Sequence, residues 1–408
     1  IKGVKNMDIN LLENENFNIN SESRDICSDE SAINDKYEEG HNRIVTEQGS
    51  YKLPLLQSIF TQSNYKLKPQ FQRRITWNNK KRSKLIESFI INIPIPPVFI
   101  YERDFDSYEV MDGLQRISAI ISFYNDEFEL EGLDEWSELN GKKYSSLPQK
   151  IKEGIDRRQL STITLLKESA KDQSKAEKMK KMVFERLNTG GVKLEAQEIR
   201  NALYDGSFNQ LCIKLSADEN FRKLWGITSD ERSIISKESE EIDLEDSVLL
   251  VNDRLYKRMY DVELVLRFFA MRHLDKMQGQ LSVFLDNALI SGNSYNKKIQ
   301  DELSIIFEDT MKVLDAMFGV YAFCQYKGEK KDWTKAQRVI YDPICLVVSQ
   351  NLEKLKTMSF NQDKNIGMLK SMYLENDAKF NGKKQSKPDI QERCDIIKMT
   401  ILKIIEGL

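Results

Sequence analysis

Asp112, Gly113, Gln115 and Arg116 fall within the stretch Val110-Met111-Asp112-Gly113-Leu114-Gln115-Arg116-Ile117 and bring a carboxylate, a glycine, an amide and a guanidinium to one point of the chain. That set can hold a phosphate. Upstream, Tyr108 and Val110 alternate with polar neighbours as in a short strand, while Ile117, Ile120, Ile121 and Tyr124 recur at helical spacing. The four polar positions therefore sit on a strand-to-helix turn, where the first backbone N–H groups lack internal partners and carry the positive end of the helix dipole. Gly113 would let an anion approach the backbone, and Arg116 would fork onto it. Asp112 has two readings: it orients a water or holds Mg²⁺ beside the phosphate, or it caps the helix by accepting from its first N–H groups. Read without the rest of the chain, the turn is equally an ordinary tight turn with polar residues on its surface.

The elements around the turn follow from breakers and periodicity. Leu53 to Phe60 reads as a short helix, Tyr65 to Trp77 as an extended stretch, Asn79 to Asn92 as a helix with Leu85, Ile86, Phe89 and Ile90 on its apolar side, and Val98 to Tyr101 as a strand. Asn78 suits an N-cap, and Pro94, Pro96 and Pro97 stop the helix before the strand. Strands alternating with helices predict an α/β layer. Between Lys66 and Lys84 stand eight Lys and Arg and no acid, Arg73 among them. Such a stripe can receive nucleotide phosphates or follow a nucleic-acid backbone, or it can simply coat a solvated helix.

A different texture follows. Lys171 to Leu187 reads as a helix, with Met179, Met182, Val183 and Leu187 on one side, and it ends at Asn188-Thr189-Gly190-Gly191. A glycine just past a helix is the common C-cap and explains one of the two. The pair, flanked by Arg186 and Asn188, could instead present backbone to the same ligand. A second helix, about Glu195 to Tyr204, is expected to turn Ala196, Ile199 and Leu203 to the core, leaving Gln197 and Glu198 on other sides. Residues 229–247 hold eight acids against Arg232 and Lys237 and read as an acidic loop; beyond them, long apolar-periodic segments from about 248 to 406 read as all-helical. The expected organisation is a polar, flexible leader over 1–48, with eleven acids among its residues and the next two; an α/β core over 49–150; a helical extension over 151–228; the acidic loop; and a helical domain over 248–408.

Composition narrows the function. A chain of 408 residues with 40% hydrophobic content and net charge −3 fits a multidomain protein, and the absence of a long apolar run gives an expectation of a cytoplasmic protein with no membrane partner. Five cysteines without C-x-x-C spacing are expected to be buried or free thiols. Only His41 and His273 are present, so a histidine triad, a His-rich zinc site and an H-N-H nuclease are poorly supported; His273 reads as a residue at a helix C-terminus. No G-x-x-x-x-G-K-[ST] occurs, which excludes a P-loop.

Three segments in order carry a family resemblance: Pro69-Gln70-Phe71-Gln72-Arg73-Arg74 with Trp77, then Asp112-Gly113-Leu114-Gln115-Arg116, then Phe184-Glu185-Arg186-Leu187-Asn188-Thr189-Gly190-Gly191 followed by Gln197-Glu198-Ile199-Arg200-Asn201. Together with Leu85-Ile86-Glu87-Ser88 and Pro94-Ile95-Pro96, the stretch from Leu53 to Tyr204 resembles the GmrSD N-terminal domain family, whose core is similar to ParB and sulfiredoxin; the stretch Asp261 to Arg267 resembles it more weakly. The resemblance implies an α+β protein, a ParB-like α/β domain followed by an all-helical domain. It also implies an NTP-binding and NTP-hydrolysing component of an anti-phage, modification-dependent restriction system. Asp112 and Arg116 would then be catalytic; Arg73, Gly113, Gln115, Arg116, Arg186, Asn188, Gly190, Gly191, Gln197, Arg200 and Asn201 would bind nucleotide; and Mg²⁺ would accompany the triphosphate at Asp112. Members often carry an H-N-H nuclease, for which this chain lacks histidines, so a separate nuclease or toxin effector is the expected partner, with DNA as a further one. Leu114 departs from the family motif, which usually has glutamine there. Two other readings stand beside this one: a nucleotide or DNA sensor that does not hydrolyse, acting like an antitoxin on a nuclease, and a ParB-like nicking enzyme with a metal held by Asp112, Glu87 and Glu198.

Overall fold

The structure, a computed structural model, describes residues 11–18, 45–66, 77–166, 179–180, 182–184, 186, 195–204, 206–227, 255–256, 258–380, 382 and 385–407. Arg73, Asn188, Gly190, Gly191, Cys27, His41 and the acidic stretch 229–247 lie outside them. The chain forms two units. One comprises Ser23–Leu203, and the other joins Ile1–Glu22 to Tyr204–Leu408.

The first unit is α+β. Its elements are β1 (Thr46–Lys52), α1 (Leu56–Phe60), β2 (Tyr65–Lys66), α2 (Asn79–Ile90), β3 (Val98–Asp104), β4 (Ser107–Asp112), α3 (Leu114–Tyr124), α4 (Gln149–Asp156), β5 (Gln159–Leu165) and α5 (Ala196–Leu203). The strands form one mixed sheet in the order β1-β5-β3-β4-β2, parallel at β5–β3 and β4–β2 and antiparallel at β1–β5 and β3–β4. Val98, Ile100, Val110 and Leu160 from the strands pack with Ile86 and Phe89 of α2 and with Ile117, Ile120 and Phe123 of α3 into one apolar core. Asn78 caps α2 as its sequence suggests, its side chain accepting from the Lys81 N–H at 3.0 Å. Glu87 of α2 turns inward to accept from the backbone N–H groups of Glu135 (2.8 Å) and Trp136 (3.1 Å).

Two strands overturn expectations. The expected leader runs to 48 and the expected helical extension begins at 151, yet β1 begins at Thr46 and pairs over its length with β5, Thr46 opposite Leu165 and Lys52 opposite Gln159. The β-branched run Thr162-Ile163-Thr164 suits a strand, and β5 lies between β3 and β1, so β1 joins the sheet only through residues beyond 150. The leader is also not uniformly loose: residues 11–18 lie in the second unit, where Glu15 is buried.

The second unit is helical: α6 (Ser207–Leu215), α7 (Glu219–Trp225), α8 (Tyr260–Met271), α9 (Leu281–Asn293), α10 (Lys297–Phe318), then the two-stranded hairpin β6 (Tyr326–Lys327) and β7 (Asp332–Trp333), and α11 (Arg338–Gln350), α12 (Leu352–Leu355), α13 (Gln362–Asn376) and α14 (Lys387–Glu406). The hairpin is the exception to an otherwise all-helical reading. Phe208, Phe269, Phe307, Phe323 and Tyr341 lie in its single large core. Arg267 of α8 forks onto Asp342 of α11 inside it. Cys212, Cys324, Cys345 and Cys394 are buried free thiols; burial pushes Cys324 up to about 11 and the other three higher. No helix among the described residues is long and apolar enough to cross a membrane.

Candidate functional site

The turn after β4 is built by a bulge and a glycine. Phe99 pairs with Asp112 and Ile100 with Val110, so Met111 is an extra residue on β4 just before the turn. A bulge of this kind re-aims the side chains beside it. Val110 and Met111 are both buried, and Asp112 emerges at the end of the strand with half its side chain exposed. Gly113 then reverses the chain at φ +102°, a left-handed conformation that L side chains rarely adopt. A Cβ here would stand 2.7 Å from Val98 Cγ2 and 3.0 Å from Arg116 Nη2, so glycine is required by space as well as by conformation.

Helix α3 starts at once, and its first turn carries Gln115 and Arg116. Arg116 Nη2 donates to Asp112 Oδ2 at 2.7 Å and to the Pro97 carbonyl at 3.2 Å, which ties the helix N-terminus to the chain entering β3. No side chain caps α3, and the Asp112 carboxylate pairs with Arg116, so the N-cap reading of Asp112 is not what the structure adopts. Two buried polar atoms at this turn have no protein partner: the acceptor Gln115 Oε1 and the donor Arg116 Nε. Left unmet, each costs about 1–3 kcal/mol. By type, the donor suits an acceptor such as a phosphate oxygen and the acceptor suits a hydroxyl.

Across the neighbouring strands, Tyr101 of β3 pairs with Glu109 of β4, and Lys180 reaches both: its Nζ is 2.8 Å from Glu109 Oε2 and 5.5 Å from the centre of the Tyr101 ring. This pins the helical segment around Lys180 to the two strands that frame the turn. The residue types offered a signal, since Glu109 stands in a strand flanked by buried Val110 and Met111, but its partner, 71 residues away, could not be read from spacing.

The remaining candidates divide. Arg186 is helical and exposed. Gln197, Arg200 and Asn201 lie together on α5, where they are buried rather than solvent-facing; Ala196 is exposed and Ile199 half-buried. Leu203 is buried as expected, while the expected inward placing of Ala196 and the outward placing of Gln197 and Glu198 are corrected. Its polar side chains bond one another, Gln197 Nε2 donating to Asn201 Oδ1 at 2.8 Å and Arg200 Nη1 to Gln197 Oε1 at 3.3 Å, while Glu198 Oε2 accepts from the Glu195 N–H at 2.8 Å. Paired in this way, polar groups can be buried without the full desolvation loss. The structure gathers Asp112, Gly113, Gln115 and Arg116 at one turn and links Gln197, Arg200 and Asn201 to one another on α5.

No group of three or more His, Cys, Asp or Glu that could hold a metal occurs among the described residues. That corrects the nicking-enzyme reading, in which Asp112, Glu87 and Glu198 would share a metal: Glu87 serves the 135–136 backbone and Glu198 the start of α5. Asp112 alone remains compatible with Mg²⁺, which takes one or two carboxylates when phosphate oxygens supply further ligands. His273 follows the C-cap of α8, as expected, but it is buried with its Nε2 3.3 Å from Glu15.

These features define an α+β domain that carries a polar turn at an uncapped helix N-terminus, followed by a helical unit. Residues 56–204 match the model of the family described as GmrSD restriction endonuclease, N-terminal domain. The match ends where the first unit ends, and it does not reach Asp261–Arg267. Comparison with curated proteins and with solved structures gives no match.

Proposed function

We propose that the first unit binds a nucleoside triphosphate at the Asp112–Arg116 turn and hydrolyses it, as the nucleotide-dependent component of a restriction-like defence system that gates a separate nuclease or toxin effector, with DNA as a further ligand. The observation that carries the reading is the turn itself: a left-handed glycine, an uncapped helix N-terminus and a buried, unmet guanidinium N–H converge within five residues. Arg116 Nε and the α3 N–H groups hold phosphate oxygens, and Gln115 Oε1 accepts from a sugar hydroxyl. Asp112 orients the attacking water. Mg²⁺ bound with the nucleotide would rest on Asp112 and neutralise phosphate charge. The restriction context rests on the family description.

The Asp112–Arg116 ion pair of 2.7 Å favours a second reading, in which the turn binds nucleotide and the carboxylate stays locked, so that the domain senses without turnover. One experiment separates them. Purified protein is given each NTP with Mg²⁺, with and without DNA, and both bound nucleotide and released phosphate are measured. Arg116→Ala should weaken binding about 10- to 100-fold, the loss of one charge-assisted contact worth about 1.5–3 kcal/mol. Asp112→Asn should abolish phosphate release and leave binding within a few-fold. Binding without release in the unaltered protein selects the sensor, and release that survives both substitutions overturns the assignment of the site.

A further inference from the structure

Residues 11–18 form neither helix nor strand, yet they are held in the helical unit by an alternation of side-chain anchors and backbone bonds. Glu15 is the first anchor. Its carboxylate takes Arg272 Nε at 2.8 Å and Nη2 at 2.7 Å, with His273 Nε2 at 3.3 Å and the Leu12 N–H at 2.9 Å. Phe17 is the second, its ring 5.1 Å from the ring of His273 and 5.2 Å from that of Phe284. Between and after them the main chain is read by side chains: the Tyr295 hydroxyl donates to the Asn16 carbonyl at 2.9 Å, and the Asn18 N–H donates to Ser291 Oγ at 3.0 Å. A cavity of about 610 Å³ continues alongside, with Asn14, Lys276 and Asn296 in its wall.

This is how a groove receives a peptide. Main-chain bonds give affinity for any extended segment, and pockets for side chains two residues apart select which one. Every receptor residue, Arg272, His273, Phe284, Ser291 and Tyr295, belongs to the continuous stretch Tyr204–Leu408, whereas the occupant arrives from the far side of the inserted Ser23–Leu203 unit. The occupant is joined to its groove only through the long chain between them, and the contacts that seat it there are non-covalent. A bidentate guanidinium with an adjacent imidazole fits a carboxylate, and the His273–Phe284 slot fits an aromatic ring, so the chemistry of an acceptable ligand is stated by the pocket.

We propose that this groove is a receptor for a short segment carrying a carboxylate two residues ahead of an aromatic ring, and that Glu15-Asn16-Phe17 is its resident ligand in cis. The full chain bearing Glu15→Ala and Phe17→Ala together is titrated, by fluorescence polarisation, into a labelled synthetic peptide with the sequence of residues 9–20. Saturable binding at least tenfold tighter than to the unaltered chain is expected, because the groove has been vacated. Adding Arg272→Ala to the double variant should weaken binding at least tenfold, as should Glu→Gln at the peptide's anchor. A folded double variant that does not bind overturns the proposal, and so does equal binding by the unaltered chain or by the Arg272→Ala variant. A double variant that is unfolded by circular dichroism overturns it too, since the segment would then be core rather than ligand.

Discussion

Gly113 bears the conformational demand of the whole site. Its φ of +102° puts the α3 N-terminus directly after an exposed carboxylate, and the space where a Cβ would stand is taken by Val98 and Arg116. Gly113→Ala combines the left-handed penalty of about 1–2 kcal/mol with about 1–3 kcal/mol for overpacking, and the affected neighbour is the guanidinium that would hold phosphate. Urea denaturation should show a loss of about 2–5 kcal/mol, and the folded variant should bind nucleotide more weakly than the unaltered protein. Unchanged stability would mean that the turn adopts another conformation. At this scale the sequence is informative: the polar set, the glycine and the helix start are all local, and local patterns are what spacing reports. Leu114, the departure from the family motif, is buried in the core at the start of α3, so its side chain packs inward while the polar groups of the turn keep their places.

Elements were legible in proportion to how far their reasons lie inside them. Helix α2 was readable because its cap, its apolar face and its prolines are adjacent, whereas β1 and β5 are strands only because they pair with each other, 119 residues apart at Thr46 and Leu165, or lie beside β3. Helix α5 was read only in part for the opposite reason: its apolar positions suggested the inner face, and Leu203 does lie inside, but Gln197, Arg200 and Asn201 bond one another and go inside with it. Glu87 shows the same internal pairing put to structural use. Its carboxylate holds two backbone N–H groups of the 135–136 segment, so Glu87→Ala strips both of their acceptor at once. Leaving such groups unmet should cost about 2–4 kcal/mol in chemical denaturation. Nucleotide affinity, measured per folded molecule, should be unchanged, and a parallel loss of affinity would return Glu87 to the site.

At the scale of the molecule, the α+β unit is an insertion in a helical unit whose N-terminal strap and main body are separated in sequence by the entire nucleotide-binding candidate. No periodicity could reveal that Glu15 meets Arg272 across 257 residues. The strap gives the helical unit a pH dependence with a definite sign. Burial by itself raises the carboxyl of Glu15, but the hydrogen bonds from Arg272 and His273 and the charge of Arg272 outweigh it and hold the group down to about 2, against an ordinary 4.5. A carboxylate held below its ordinary value contributes its full stabilisation above pH 4.5 and loses it as the pH falls toward 2, because only the unfolded state then takes up the proton readily. The depression corresponds to about 3 kcal/mol between those limits. Urea midpoints taken from pH 7 to pH 3 should therefore stay level down to about 4.5 and then drop, with the Tyr295 and Phe17 environment lost first by near-ultraviolet circular dichroism. Glu15→Gln cannot carry the charge: it should begin at lower stability at pH 7 and lose less than the unaltered protein on acidification. If both proteins fell in parallel below pH 4.5, another carboxylate would be responsible for the acid transition, and the strap would be held by Phe17 and its backbone bonds rather than by the ion pair.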